Sequence, residues 1–453
     1  MTTKKLRTYH LIALGCAKNL VDSESIAQLL NQQGLQPTLN QNKADLLIVN
    51  TCGFLKVARE EAISILTDLS NTKMPWQKLI VAGCMPELHR QEILSTIPGV
   101  AGIFGTRHWM DIVDVITAVD QNREELPYIH IPSLAQTGFD ERGTHRVAVQ
   151  GSSAYLKIAD GCRRSCAYCL IPLIKGDLVS RPIPKIIEDA KALQDQGIKE
   201  IILIAQDITD YGHDLKMKDG LTLLLESLLK AVPNVPWIRL MYTFPGYVSQ
   251  SLINLMASEA QILPYLDIPL QHADPKVLKA MNRPSNMQSV HKTLEQIREQ
   301  MLDAVLRTTF IVGFPNEDEP AFQNLVQFTK EIQFDHMGTF IYSYEPGTPA
   351  EPLGDPIPED IKLARQDHLM RIQAEISLNR NQHFIGKTLD VLIEGVDAEQ
   401  GISIGRSYRD APEIDGLVVI DDPVPIGEMV QVQIHSALTH DLVGKLVETN
   451  GAP

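Results

Sequence analysis

Six cysteines are the residues of this chain best equipped for chemistry: Cys16, Cys52, Cys84, Cys162, Cys166 and Cys169. Six thiols in 453 residues are too sparse for a disulfide scaffold, so their placement matters more than their number. Three stand at intervals of 36 and 32 residues, and three are packed as C-x3-C-x2-C. The dispersed three each close an apolar run: YHLIALGC, ADLLIVNTC and KLIVAGC. A lone cysteine at a strand end is usually a buried structural thiol. Three at equivalent positions point instead to a shared ligand set, either an iron–sulfur cluster with one iron open or a zinc site short of a ligand. The packed three can hold three irons of a [4Fe–4S] cluster on one short loop. The fourth iron is then free to chelate the amino and carboxylate groups of S-adenosylmethionine, whose reductive splitting yields an adenosyl radical. Zinc is the competing reading for this loop, and no second C-x2-C pair accompanies it.

These thiols need elements that bring them together. Between the first three apolar runs lie helical patterns at residues 23–33 and 58–69. A βαβαβ alternation with a repeat near 30 residues predicts a doubly wound parallel sheet. The carboxyl ends of its strands share one edge, where the three cysteines would converge. From Tyr155 the pattern restarts. Strand-like runs at 200–208, 237–244, 265–270, 305–314 and 337–343 alternate with helical segments at 184–196, 221–230 and 290–301. With the run before Cys162 they predict a partial (β/α)6 barrel whose site lies at the strands' C-terminal ends. Asp274-Pro275 opens a further helix as N-cap and first residue.

The order of the local motifs is specific: LGCAKNLVDSE (14–24), NTCGFL (50–55), AGC (82–84), DGCRRSCAYCLIPLIKGDLVSRP (160–182), QHADPKVLKAMNRP (271–284), TFIVGFPNEDE (309–319) and YSYEPGTPAEP (342–352). Together they resemble the methylthiotransferase family of radical S-adenosylmethionine enzymes over nearly the whole chain. The first two motifs resemble its ribosomal-protein branch rather than its tRNA branch. The resemblance implies two [4Fe–4S] clusters and S-adenosylmethionine as cofactors. Cys162, Cys166 and Cys169 would hold the radical-generating cluster, and Cys16, Cys52 and Cys84 an auxiliary cluster that carries the transferred sulfur. The implied reaction adds a methylthio group to the β-carbon of an aspartate in small-subunit ribosomal protein number twelve, free or in the subunit. A flavodoxin- or ferredoxin-type donor would supply electrons. Two other readings are a tRNA adenosine methylthiotransferase and a two-cluster electron-transfer protein without substrate chemistry.

Further cofactor contacts rest on fewer residues. Tyr168, inside the cysteine loop, either packs against the adenine or fills core. Gln206 follows the second barrel strand and either bonds the methionine amino group or caps a loop. Gln271 and His272 end the fourth barrel strand, with His272 read as scaffold. Arg283 is either a cofactor contact or a surface charge. No side chain is assigned as an acid–base catalyst.

Residues 345–358 are Pro-rich and read as a linker. A helix follows at about 359–384, with Ile361, Ala364, Leu369, Ile372 and Ile376 as its apolar positions. Short strands then predict a small β-barrel resembling a TRAM domain. The expected division is 1–145, 146–384 and 385–453.

Charge bears on partners. The chain has 41 Lys plus Arg against 56 Asp plus Glu, a net −15. Residues 384–453 hold four basic residues (Lys387, Arg406, Arg409, Lys445) against twelve acidic ones, a net −8. Phosphate binding needs the opposite sign, so strong nucleic-acid binding is not expected, whereas a basic ribosomal protein suits such a surface. No apolar run reaches the ~20 residues of a membrane span. The segment MTTKKLRTYHLIALGC is read as a first strand rather than a signal peptide, which makes the expected location the cytoplasm.

Overall fold

The computed structural model describes residues 6–121, 127–132 and 142–447. The outermost residues of the expected first and last domains, with Glu448 among the acidic residues counted above, lie outside the described residues.

Long apolar runs punctuated by glycine build the first sheet. Strands β1 (Thr8–Ala13), β2 (Gln36–Pro37), β3 (Leu46–Thr51), β4 (Lys78–Gly83), β5 (Val100–Phe104) and β6 (Tyr128–His130) are parallel, in the order β2-β1-β3-β4-β5-β6. Every residue of β3 and β5 is buried, as expected of strands covered on both faces. Helices α1 (Ala17–Gln32) and α4 (Ile112–Gln121) cover one face; α2 (Lys56–Thr72) and α3 (Met85–Thr96) cover the other. Helix α1 starts directly after Cys16, several residues before its apolar periodicity becomes readable.

The second sheet is the partial barrel. Strands β7 (Val147–Gln150) and β8 (Ser153–Lys157) form an antiparallel hairpin through a Gly151-Ser152 turn, with Gly151 at φ +59°. The sequence reading, which began this strand series at Tyr155, did not identify β7. A short pair follows, β9 (Ala159–Asp160) with β10 (Val179–Ser180), flanking α5 (Ile171–Lys175). Then come α6 (Ile183–Asp195), β11 (Glu200–Ile204), α7 (Gly220–Ala231), β12 (Trp237–Leu240), α8 (Gln250–Ser258) and β13 (Ile262–Asp267). The series ends with α9 (Pro275–Ala280), α10 (Met287–Gln300), β14 (Val305–Val312), α11 (Glu319–Ile332) and β15 (His336–Ile341). The sheet order is β15-β14-β13-β12-β11-β8-β7, so six parallel strands curve into an open barrel as expected. The fourth strand stops at Asp267, short of Gln271, which makes an isolated parallel bridge to Phe310. Asp274 caps α9 through the Lys276 and Val277 N–H groups.

Helix α12 (Glu359–Gln382) crosses to a closed five-stranded barrel of β16 (Thr388–Asp397), β17 (Ile402–Ser407), β18 (Val418–Ile420), β19 (Met429–Ala437) and β20 (Leu442–Leu446). Part of the reading of α12 is corrected here. Ile361 and Ala364 are exposed, and the buried face carries Lys362, Arg365, Gln373 and Asn381 beside Leu369 and Ile376. Each of these polar side chains has at least one partner, although the Arg365 Nε and Gln373 Oε1 atoms have none. Lys362 donates to the Tyr342 carbonyl, Arg365 to Glu317, Gln373 to the Phe334 carbonyl and Asn381 to the Leu438 carbonyl.

The concave side of the open barrel is filled from both neighbours. Ala17, Leu20 and Val21 of α1 meet Tyr155, Ile202, Ile204, Trp237 and Tyr265 there, together with Leu392, Tyr408 and Ala411 of the small barrel. Buried charges close the joint: Glu200 accepts from Arg239 Nε at 2.6 Å and from Arg406 Nη2 at 2.6 Å. Arg406 and Arg409, counted above among the basic residues of the C-terminal segment, are buried at this joint rather than on the surface.

Candidate active site

Tight backbone turns assemble the dispersed cysteines. Gly15, at φ +92°, lies so close to Cys52 that a Cβ there would stand 2.7 Å from the Cys52 Cβ. A Cβ on Gly53 would stand 2.7 Å from the Met85 backbone, and Cys84 N donates to the Thr51 carbonyl at 2.9 Å. Only glycine allows the three strand ends to approach this closely. Burial pushes the Cys84 thiol up to about 12, with added repulsion from Cys52 and Cys16. Cys52 is raised for the same leading reason. The Cys16 side chain reaches solvent at its tip. Crowding by its neighbours opposes ionisation there, but Lys18 and the Asn19 and Lys18 N–H groups outweigh it and lower the thiol. Mutual electrostatic influence among all three means that they occupy one site.

The second triad lies on the loop between β9 and α5. Arg164 N donates to Cys162 Sγ at 3.4 Å, Ile171 N to Cys169 Sγ at 3.4 Å, and Arg283 Nη1 to Cys166 Sγ at 3.6 Å. Burial raises Cys162 to about 11 and Cys169 to about 12, and each is further raised by its neighbouring cysteines. Buried thiolates of this kind need a cation to offset their charge. Sulfur atoms that accept backbone N–H bonds are the usual surroundings of a cluster. The loop is held from below: Ala167 N donates to the Met281 carbonyl, and Ala350 N to the Ala167 carbonyl.

Two arginines inside the loop, overlooked in the sequence reading, anchor it to the next strand end. Arg163 makes two bonds to Asp210, at 2.6 and 2.7 Å, and Arg164 Nε bonds Asp207 Oδ2 at 2.8 Å. The signal lay in the pairing of CRRSC with QDITD, opposite charges on adjacent strand-end loops.

The remaining candidates border the same cleft. Arg283 is buried, donates to the Pro269 carbonyl and lies 4.0 Å above the Phe244 ring, while its Nε has no hydrogen-bond partner. Gln206 Oε1 is likewise buried without a partner. Tyr168 sits against Cys166 and Arg283, and burial raises its hydroxyl well above the usual value. Gln271 holds φ +74°, a strained conformation for a residue with a side chain, fixed by bonds to Thr309 and Ile311. His272 Nδ1 accepts from Asp274 N at 2.9 Å, and burial lowers the ring to about 4, so it is neutral scaffold. An H-x4-H pair, His435 and His440, bears on the zinc reading. Both residues belong to the small barrel, where His435 Nε2 bonds Asp421 at 2.7 Å, and neither acts on a cysteine of the loop.

Side chains that neighbour the two triads meet one another. Lys18 Nζ lies 3.0 Å from the centre of the Tyr242 ring at the barrel mouth, and Cys16 acts on the Tyr242 hydroxyl. Lys175, at the end of the cysteine loop's helix, acts on Cys16, Cys52 and Cys84 alike. Arg59 of α2 reaches Glu345 beyond β15 at 2.9 Å and closes one flank.

Comparison with known proteins shows the family and fold of the chain. Residues 8–105 match the uncharacterized protein family UPF0004, residues 156–329 the radical SAM superfamily and residues 385–447 the TRAM domain. The chain is 42% identical to ribosomal protein uS12 methylthiotransferase RimO of Roseiflexus sp. (strain RS-1), over 97% of both chains. Identity to the protein of the same name from Chloroflexus aurantiacus is 43%, over 96% of this chain and 99% of that one. Among solved structures, the radical S-adenosylmethionine methyltransferase TsrM from Kitasatospora setae superposes with a TM-score of 0.58 at 13% identity, covering 76% of this chain and 74% of that one. The radical enzyme OxsB gives 0.54 at 12% identity, covering 81% and 56%. At these identities the likeness is one of fold.

Proposed function

The chain belongs to the RimO family of ribosomal protein uS12 methylthiotransferases, and we propose that it places a methylthio group on the β-carbon of an aspartate in that ribosomal protein. It is a radical S-adenosylmethionine methylthiotransferase, with an iron–sulfur cluster and S-adenosylmethionine as cofactors. What supports the fuller reading is the pair of cysteine triads, one at the strand ends of the first sheet and one on the loop before α5, tied together by the ion pair of Lys175 with Asp22.

Cys162, Cys166 and Cys169 would hold one [4Fe–4S] cluster and Cys16, Cys52 and Cys84 a second. Bound there, the clusters and S-adenosylmethionine supply a carbon-centred radical that abstracts hydrogen, together with the sulfur and methyl that replace it. This chain's own residues position and shelter those groups. The Arg164 and Ile171 N–H groups and the Arg283 guanidinium stabilise sulfur charge. Gln206 and Arg283 offer unpaired polar atoms for the methionine end, and Gln271 and Tyr168 line the adenosyl side. Lys18 over Tyr242 and Arg59 on Glu345 hold the opposite wall close and limit water. No side chain is needed as an acid–base catalyst.

The C-terminal barrel is the surface that suits uS12. Lys387 and Lys445 are its exposed basic residues, against the exposed Asp390, Glu394, Glu399, Glu413, Asp421 and Glu428. That charge favours a basic protein over RNA. The domain division 1–145, 146–384 and 385–453, a flavodoxin- or ferredoxin-type electron donor and a cytoplasmic location all fit this reading. Among the described residues no helix is long and apolar enough to cross a membrane.

The test is a reconstitution without oxygen, with S-adenosylmethionine, reductant and sulfide, offering uS12 and unmodified tRNA separately. An aspartyl peptide heavier by about 46 Da, the mass of SCH3 replacing H, is the expected product. Cys166→Ser should abolish deoxyadenosine formation and Cys84→Ser should spare it, each variant losing about half of the iron. The same mass gain on an adenosine would move the substrate to tRNA.

A further inference from the structure

Away from both triads, the first sheet carries a second set of metal-ligating side chains. His108 Nδ1 lies 3.1 Å and His130 Nε2 2.8 Å from the same oxygen, Asp111 Oδ2, and the donor atoms all fall within 4.8 Å of one another. His108 and Asp111 belong to the 3-10 turn Thr106–Asp111 between β5 and α4, and His130 ends the edge strand β6. The turn is broken at His108, at φ −126° and ψ 44°, a departure from helical geometry at the residue whose Nδ1 faces Asp111. Backbone pairing fixes the other side, since Gly105 N donates to the His130 carbonyl at 3.2 Å.

Position and charge suit a cation. The three side chains are between 11% and 26% exposed, sheltered yet open to an entering ion. The opposite carboxylate oxygen, Asp111 Oδ1, faces Arg142 Nη2 at 3.8 Å. Arg142 also donates to the Met110 carbonyl at 2.6 Å and to Asp114 at 3.2 Å. A ligating carboxylate held by a neighbouring donor is the ordinary support of a metal site. The Arg142 guanidinium thus stands by the Asp111 and Asp114 carboxylates, beside two imidazoles that are neutral when they bind metal.

We propose that His108, Asp111 and His130 bind one divalent transition-metal ion of the zinc class, apart from the cysteine-held iron. Two imidazoles and one carboxylate are a zinc-type ligand set with a fourth position left for water, and they lack the thiolates that select iron–sulfur clusters. Ligands about 2.1 Å from a tetrahedral ion stand roughly 3.4 Å apart, so each imidazole nitrogen needs to move only a few tenths of an ångström from Asp111 Oδ2. Such an ion fastens β6, the edge strand, to the turn that follows β5.

The alternative is one carboxylate oxygen accepting from two imidazole N–H groups, and metal titration separates the two. The whole protein, with its cysteines loaded with iron and sulfide, is stripped of loose metal by a chelator and titrated with Co2+ without oxygen. We expect one Co2+ per chain, d–d bands of a nitrogen–oxygen site without sulfur charge-transfer, and an upward shift of the melting midpoint on adding Zn2+. His130→Ala and His108→Asn should each weaken Co2+ binding at least about tenfold, with iron content unchanged. No saturable binding overturns the site. So does binding that survives in the double variant, or binding that carries sulfur charge-transfer bands.

Discussion

Lys175 Nζ lies 2.7 Å from Asp22 Oδ2, and this bond joins the two cysteine-bearing halves of the molecule. Asp22 sits on α1, six residues after Cys16; Lys175 ends α5, six residues after Cys169. The other Asp22 oxygen receives Lys157 at 2.6 Å and Arg146. Asp160 takes Lys157 at 2.6 Å and Arg146 at 3.2 Å. Burial opposes ionisation of Asp22, yet these three cations hold its carboxyl far below the usual range. The network is thus a charged hinge pin that sets how the two triads face each other.

Asp22→Asn removes one charge from a group with no exposed side. The three cations then share Asp160 alone, and buried ions left without partners cost about 3–5 kcal/mol. Denaturant titration of the intact protein should show that loss. A change below about 1 kcal/mol, the range of exposed pairs, would mean that the network holds nothing together.

Arg283 offers a sharper probe of the cleft. Lysine in its place keeps the charge but loses the planar fork, the stacking on Phe244 and one of the two directed donors. Arg283→Lys should raise the KM for S-adenosylmethionine about tenfold with a smaller fall in kcat. Equal falls in kcat and kcat/KM with KM unchanged would show that Arg283 serves the cluster and not the cofactor.

How much of this was legible beforehand differs by element. The six cysteines were readable because each ends an apolar run or sits in a short fixed spacing, and both patterns are local. The parallel strands were readable because strands buried on both faces are continuously apolar. Strand β7 was not, since it is a four-residue edge strand whose role depends on pairing with β8. Helix α12 misled for a different reason. Its buried face is polar, each side chain bonded to a distant carbonyl or carboxylate, so hydrophobic periodicity selected Ile361 and Ala364, which are exposed. The Asp22 network was equally hidden, because no spacing rule links residues 22, 146, 157, 160 and 175. Ion pairs between domains are written in three dimensions only.

The pH dependence of stability has a defined sign at Glu317. Burial pushes its carboxyl from 4.5 up to about 7, against the pull of Arg365 and of the Gly313 and Phe314 N–H groups. A native carboxyl above its unfolded value binds its proton more tightly when folded. Its contribution is complete below about pH 4.5 and is lost as the pH rises through about 7. Glu317→Gln keeps the shape and cannot titrate. Wild-type stability minus that of the variant should therefore fall by up to about 3 kcal/mol between those limits. His272, lowered to about 4 by burial, contributes stability that grows over part of the same range and lies 3.8 Å from Glu317, so the comparison is made in a His272→Asn background that removes its titration. A difference that stays flat with pH would refute the shift.

The joint to the C-terminal barrel makes the last prediction, because there the same charge serves two domains. Arg406 bonds both Glu200 of the partial barrel and Glu394 of its own domain, and Arg239 bonds Glu200 from β12 while donating to the Tyr408 carbonyl. Arg406→Met leaves Glu200 with Arg239 as its cation and the Ser153 hydroxyl as its other donor, and should cost about 3 kcal/mol or more. It should also speed proteolytic cleavage near residues 383–387, where α12 passes into β16. Replacing Arg239, Glu200 and Arg406 together by apolar residues of similar volume should recover most of that stability, since a buried ion triad gains little over good packing. Recovery would show that the triad specifies docking rather than strengthening it. Activity on uS12 would then report whether the acidic barrel has to be held at one angle to the cleft. If the triple variant is stable but modifies uS12 poorly, orientation is what the charges supply; if it is stable and fully active, packing alone sets the angle.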